Sequence, residues 1–83
     1  MKLAKFVKFR EEKFGGVLFE TRSEKVFTLN PTATAVVREI QAGTAEPDIA
    51  SRVTATFDGS EGDIRREVGE FLGQLRTRGL LES

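Results

Sequence analysis

The sequence predicts an α+β domain in which a three-stranded antiparallel sheet is followed by three helices. Two observations carry this. Up to Leu29, short runs rich in Val, Phe and Leu alternate with turn residues, which is the pattern of strands. From Asn30 onward, apolar residues recur at helical spacing, and each run is bounded by a capping residue before it and a glycine after it.

Phe6–Arg10 reads as the first strand, with Val7 and Phe9 on one face and Lys8 and Arg10 on the other. Phe14-Gly15-Gly16 reads as a turn, because two glycines permit positive φ. Val17–Arg22 is the second strand, with Val17 and Phe19 facing one way and Leu18 and Glu20 the other. Ser23-Glu24 makes a tight connection to the third, Lys25–Leu29. A hairpin alone is marginal in water, so this sheet requires a helical layer.

Asn30 is suited to cap the first helix, and Pro31 sits at its first position, where the missing N–H costs nothing. Ala33, Val36, Val37 and Ile40 form one apolar face, and Gly43 ends the helix. Thr44 is the expected cap of the second helix, with Pro47 in its first turn and Ile49, Ala50, Val53 and Phe57 as its stripe. Ser60 with Asp63 resembles a capping box opening the third helix. Ile64, Val68, Phe71, Leu72 and Leu75 make its stripe, acidic residues lead and arginines trail, and Gly79 stops it before Leu80-Leu81 packs back. The order and short connections suit a winged helix-turn-helix-like architecture.

An 83-residue chain is expected to be one domain, 1–83. At that size only about 60–65% of the unfolded surface is buried, leaving little room for a deep enclosed pocket. The chain has no cysteine and no histidine, which removes thiolate sites, the commonest general base and the commonest metal ligand. Its aromatic residues are seven phenylalanines. Thirteen basic and thirteen acidic residues cancel, whereas nucleic-acid binders usually carry a basic excess. Met1–Lys13 is mildly basic, as solvated strand ends often are. No apolar run approaches a membrane span and no signal peptide is convincing, so a cytoplasmic location is expected.

The carboxylates have structural roles available. Glu67 and Glu70 lie one turn apart but lack a third ligand such as histidine, so a solvated helix face is the better reading than a metal site. No phosphate-cradling loop, nucleophile elbow or dinucleotide fingerprint is present, and neither catalysis, a cofactor nor a metal is expected. Two surfaces stand out instead. Gly69 and Gly73 each cost about 1 kcal/mol in a helix. They serve either close packing within the chain or a smooth path for another backbone, beside Arg65, Leu72 and Arg76. Lys25–Leu29, if it is a sheet edge, offers unpaired backbone groups to an added peptide strand, or is covered by the chain itself or a dimer partner.

The segments GGVLFETRSEKVFTLNPTATAVV and IASRVTATFDGSEGDIRREVGEFLGQLRTRGLLE resemble the PqqD-like family of peptide chaperones. These are also called recognition elements of ribosomally made, post-translationally modified peptides. The matching features are Gly15-Gly16, the Leu29-Asn30-x-Thr32-Ala33 helix entry, the segment ending at Phe57, Asp63-Ile64, Val68-x-x-Phe71-Leu72-x-x-Leu75 and Gly79-Leu80-Leu81. The resemblance implies binding of a precursor leader peptide along the third strand, in a groove shared with the third helix, and presentation to a modifying enzyme, with a radical S-adenosylmethionine (radical SAM) enzyme first in line. On this sequence the peptide site is then Lys25, Val26, Phe27, Thr28 and Leu29 with Ile64, Val68 and Leu72, while Arg65 and Arg76 pair with leader carboxylates. Alternation admits only one set of strand side chains, either Val26 and Thr28 or Phe27 and Leu29, to the groove. The competing expectations are leader recognition for a lasso-peptide protease, a winged-helix DNA-binding protein, and a subunit that only docks on an enzyme. The same strand edge also offers a route to a homodimer.

Overall fold

Strands β2 (Val7–Glu12), β3 (Gly15–Glu20) and β4 (Lys25–Leu29) form an antiparallel sheet in the order β2-β3-β4. Helices α1 (Pro31–Gln41), α2 (Glu46–Thr56) and α3 (Glu61–Thr77) follow. A two-residue strand at each end, β1 (Lys2–Leu3) and β5 (Leu81–Glu82), pairs antiparallel into a small second sheet that the sequence patterning does not reveal. This computed structural model describes residues 1–82. Among them no helix is long and apolar enough to cross a membrane.

Register fixes which side chains share a face, because residues directly opposite one another project to the same side. Phe9, Leu18 and Phe27 lie opposite one another, as do Glu11, Gly16 and Leu29. This is the inner face, where Leu18 and Leu29 are buried. Lys8, Phe19 and Val26 share the outer face with Arg10, Val17 and Thr28. The inner face packs mainly on α1, and α1 in turn packs on α2 and α3. Ala33, Val36, Val37 and Ile40 of α1, Ile49 and Val53 of α2, and Val68 and Leu75 of α3 fill the resulting core. Each large aliphatic side chain removed from water there contributes about 1.5–3 kcal/mol.

Several local expectations shift. The first hairpin turns at Lys13-Phe14, and Gly15-Gly16 begin β3 rather than forming the turn. Their requirement is tertiary: a Cβ on Gly15 would stand 2.2 Å from the Leu29 carbonyl oxygen, and one on Gly16 would stand 2.9 Å from the Thr34 hydroxyl. Phe6 lies outside β2, under the Arg22 guanidinium at 3.6 Å from its ring centroid. The second connection spans residues 21–24. Glu20 organises it by accepting from the Arg22 N–H at 2.9 Å and from the Ser23 N–H and hydroxyl. Those bonds, led by the one from the Ser23 hydroxyl, hold the Glu20 carboxyl below its usual pKa. Glu20 is therefore a turn-organising residue as well as a surface charge.

Asn30 caps α1 as expected, accepting from the Ala33 N–H at 2.8 Å. Ser60 does the same for α3 through the Asp63 N–H at 3.3 Å. Thr44 does not cap α2. The N-cap is Ala45, which makes no side-chain bond, and the Thr44 hydroxyl donates to Glu39 at 2.6 Å. Gly43 and Gly79 take positive φ just past α1 and α3. After Gly79 the chain doubles back, so that Leu80 is buried and its carbonyl accepts from the Ala4 N–H at 2.9 Å.

Candidate functional site

Sequence order places β4 at one edge of the main sheet. In an antiparallel ladder, alternate residues of an edge strand point N–H and C=O away from the partner. Beyond its ladder with β3, no residue of Lys25–Leu29 takes part in a backbone hydrogen bond among the described residues. β4 also leads directly into α1 through Asn30, so the capped helix start fixes the end of the edge.

Helix α3 lies across from this edge without packing closely on it, because its main contacts are with α2 and α1. The gap is a groove made of two adjoining clefts of about 350 and 290 Å³. They share Thr28, Leu29, Phe71 and Gln74 as lining residues. One cleft continues towards Arg78 and Leu80, the other towards Asn30, Ala33, Glu67 and Glu70. The middle of the groove thus sets the apolar Leu29 and Phe71 beside the polar Thr28 and Gln74, and charged groups stand at both ends.

The groove uses a different face of α3 from the one the sequence suggests. Ile64, Val68 and Leu72 are 8%, 1% and 5% exposed and belong to the core. Residues 67, 70, 71, 74 and 78 follow one another at helical spacing on the neighbouring face, towards β4. Phe71 is the apolar residue of this second face, half-buried and packed against the core on one side. The signal was present in the spacing, but the stronger stripe at 64, 68, 72 and 75 conceals it.

Arg65 and Arg76 lie on the α2 side of α3. Arg65 pairs with Glu61 at 3.0 Å and donates to the Ser51 hydroxyl at 3.1 Å. Arg76 pairs with Glu46 at the start of α2. Arg65, Val68, Gly69 and Leu72 do come together, in a separate 370 Å³ cleft against Glu46, Pro47 and Ala50. Nothing lies within 4 Å of where a Cβ would stand on Gly69 or Gly73, so close packing within the chain does not explain these glycines.

Of the β4 residues, Phe27 and Leu29 are on the inner face, with Leu29 buried and Phe27 half-buried. Val26 is 60% exposed on the outer face beside Phe19, at 36%. With Val17 they form a shallow apolar depression of about 620 Å³ bordered by Lys8 and Arg10.

The family model for coenzyme PQQ synthesis protein D (PqqD) matches residues 15–81. Among solved structures, the chain is similar to one described as TbiB1 in complex with the TbiA(beta) leader peptide. The TM-score is 0.84 at 20% identity, covering 100% of this chain and 96% of that one. It is also similar to lasso peptide synthetase B1 complexed with the leader peptide, with a TM-score of 0.80 at 23% identity and coverage of 99% and 96%. At these identities the likeness is one of fold, and it extends over both chains almost entirely. No curated protein matches the chain.

Proposed function

The chain belongs to the PqqD family, and from that premise we propose that it binds the leader segment of a ribosomally synthesised precursor peptide and presents it to a modifying enzyme. The observation that carries this is the edge of Lys25–Leu29, without backbone partners beyond β3 among the described residues and running beside a groove centred on Leu29, Phe71 and Gln74. An extended peptide added there would gain main-chain hydrogen bonds from β4, and its alternate side chains would enter the groove over Phe71. Two structures of the same fold support the reading, since both are complexes with a leader peptide.

On this reading Lys25, Val26, Phe27, Thr28 and Leu29 supply the strand. On the helix side, Phe71 and Gln74 take the contact role, while Ile64, Val68 and Leu72 support them from the core. Arg65 and Arg76 would meet a leader only by leaving Glu61 and Glu46. The module is read as non-catalytic, since a chain without histidine or cysteine is poorly equipped for general base or thiolate chemistry. A second copy and a leader would compete for the same edge.

The enzyme we propose as recipient is a radical SAM enzyme, in keeping with the family's description as a coenzyme synthesis protein. A lasso-type leader protease is the second reading, favoured by the likeness to a lasso peptide synthetase B1 over nearly the whole chain. Calorimetry with synthetic leader segments of candidate precursor peptides tests the binding itself. Phe71→Ala is expected to lower affinity at least tenfold, about 1.4 kcal/mol, with the fold intact by circular dichroism. Unchanged affinity in the folded variant would move the site away from this groove. Co-elution with one candidate enzyme and not the other identifies the recipient.

A further inference from the structure

The two ends of the β4–α3 groove carry opposite charge. Glu67 and Glu70 stand at the end beside Leu29 and Asn30. Arg78 stands at the other end, its guanidinium 5.0 Å from the Phe27 ring centroid. Lys25 opens β4 at that same end. Between them lie Phe71, Gln74 and Leu75.

These charges are poorly partnered. Glu67 accepts from the neutral Asn30 amide at 3.0 Å. Glu70 reaches Arg66 at 3.9 Å, with both side chains more than two-thirds exposed. Lys25 and Arg78 make no ion pair among the described residues. The contrast is with the opposite flank of α3, where Arg65 and Arg76 both pair with carboxylates of the chain. Charges already paired are costly to recruit, whereas poorly paired ones beside an apolar groove remain available to a ligand.

We infer that the groove reads the charge order of the peptide it holds. The favoured segment has an apolar centre, a basic residue at the end lying beside Leu29 and an acidic residue at the end lying beside Lys25. This deepens the peptide-binding reading and rests on it. Spacing follows from geometry. Glu67 and Arg78 are eleven residues apart on or just beyond α3, which spans about 16 Å at about 1.5 Å per residue. An extended chain covers that in about five residues at about 3.3 Å each, matching the five residues of β4. Both charged side chains must project to the groove side, so an even separation of about four or six positions is required. Strand direction then sets the order. A peptide antiparallel to β4 carries its basic residue first, and a parallel one its acidic residue first.

The test is selection of random twelve-residue peptides displayed on phage against the whole chain. A parallel selection uses the variant Lys25→Glu/Glu67→Lys/Glu70→Lys/Arg78→Glu, checked for fold by circular dichroism. The native chain is expected to enrich apolar segments with opposite charges four or six positions apart in one fixed order, and the variant the reverse order. A peptide from the native selection should lose at least tenfold in affinity on the variant and regain it when its own two charges are exchanged. The single variants Glu70→Lys and Arg78→Glu serve if the charge-reversed variant does not fold, each being expected to lose the native charge order. Enriched peptides that shift β4 amide resonances but show no charge order overturn the inference and leave the peptide-binding reading standing. Failure of the folded native chain to enrich any peptide, or enrichment only of peptides that bind away from β4, overturns both.

Discussion

Gly15 holds a φ of 146°, and a Cβ built there would lie 2.2 Å from the Leu29 carbonyl oxygen and 2.9 Å from the Asn30 carbonyl carbon. Both atoms are backbone, at the corner where β4 becomes α1, so no side-chain rotation can relieve the clash. Gly15→Ala is expected to destabilise the fold by about 3 kcal/mol, combining backbone strain with overpacking. Gly69 and Gly73 should respond in the opposite direction. They lie inside α3 with nothing near the missing Cβ, and alanine at either is expected to add about 0.5–1 kcal/mol. Urea unfolding of the three variants measures both signs, and destabilisation by Gly69→Ala would mean that another group packs against Gly69. Gly69 lines the α2-side cleft and not the groove, so leader affinity should stay unchanged in that variant. The sequence identifies Gly15-Gly16 as a constrained pair but places the constraint in a turn. Local pattern carries no information about a carbonyl that approaches from Leu29, and that is why the assignment differs.

At the level of elements, most of the plan is legible because local chemistry and tertiary packing agree. Asn30-Pro31 sets the start of α1, Ser60 that of α3, and Gly43 and Gly79 the ends, each through bonds or dihedral angles the residue type itself favours. The candidate site is less legible. Edge strand Lys25–Leu29 can be read from strand order, but the working face of α3 depends on how that helix rolls against α1 and α2. Periodicity selects the most apolar stripe, and that stripe is the core. The α1–α2 connection shows a similar substitution of tertiary for local logic. Thr44 is spent on Glu39, which also accepts from Arg52 at 2.7 Å. The Thr44 hydroxyl first, and Arg52 second, hold the Glu39 carboxyl below its usual pKa. A folded pKa below the unfolded one adds stability that is complete above the unfolded value, about 4.3, and is lost as pH falls through the folded value. Glu39→Gln is therefore expected to be less stable than the native chain at pH 7, with the difference shrinking as pH falls below about 4.3. Thermal melts of both proteins across that range test it, and a difference independent of pH would mean that the ionised carboxylate contributes nothing.

For the molecule as a whole, α1 is the hub on which the sheet, α2 and α3 all pack, and the β1–β5 pair closes the chain ends over Leu80. This arrangement leaves β4 and the adjacent face of α3 as a seam without direct close packing. A ligand that bridges the seam binds the folded state alone, so it should stabilise the whole molecule. At a hundredfold excess of free leader over its Kd the gain is about 2.7 kcal/mol. Local protection should be more selective than global stability. In hydrogen exchange, outward-pointing amides of Lys25–Leu29 pass from solvent to the added strand and should slow most, followed by the α3 segment around Phe71 and Gln74. Amides of α2 should slow only to the extent that global opening is suppressed, since Ile49 and Val53 face the core and the α2-side cleft lies beyond the seam. Duplex DNA at the same concentration should leave the β4 pattern unchanged, because a chain with thirteen basic and thirteen acidic residues offers phosphate little net attraction. Leader-dependent protection confined to α2, or salt-sensitive protection of α3 by DNA in the absence of leader, would overturn strand addition at β4 in favour of another docking surface.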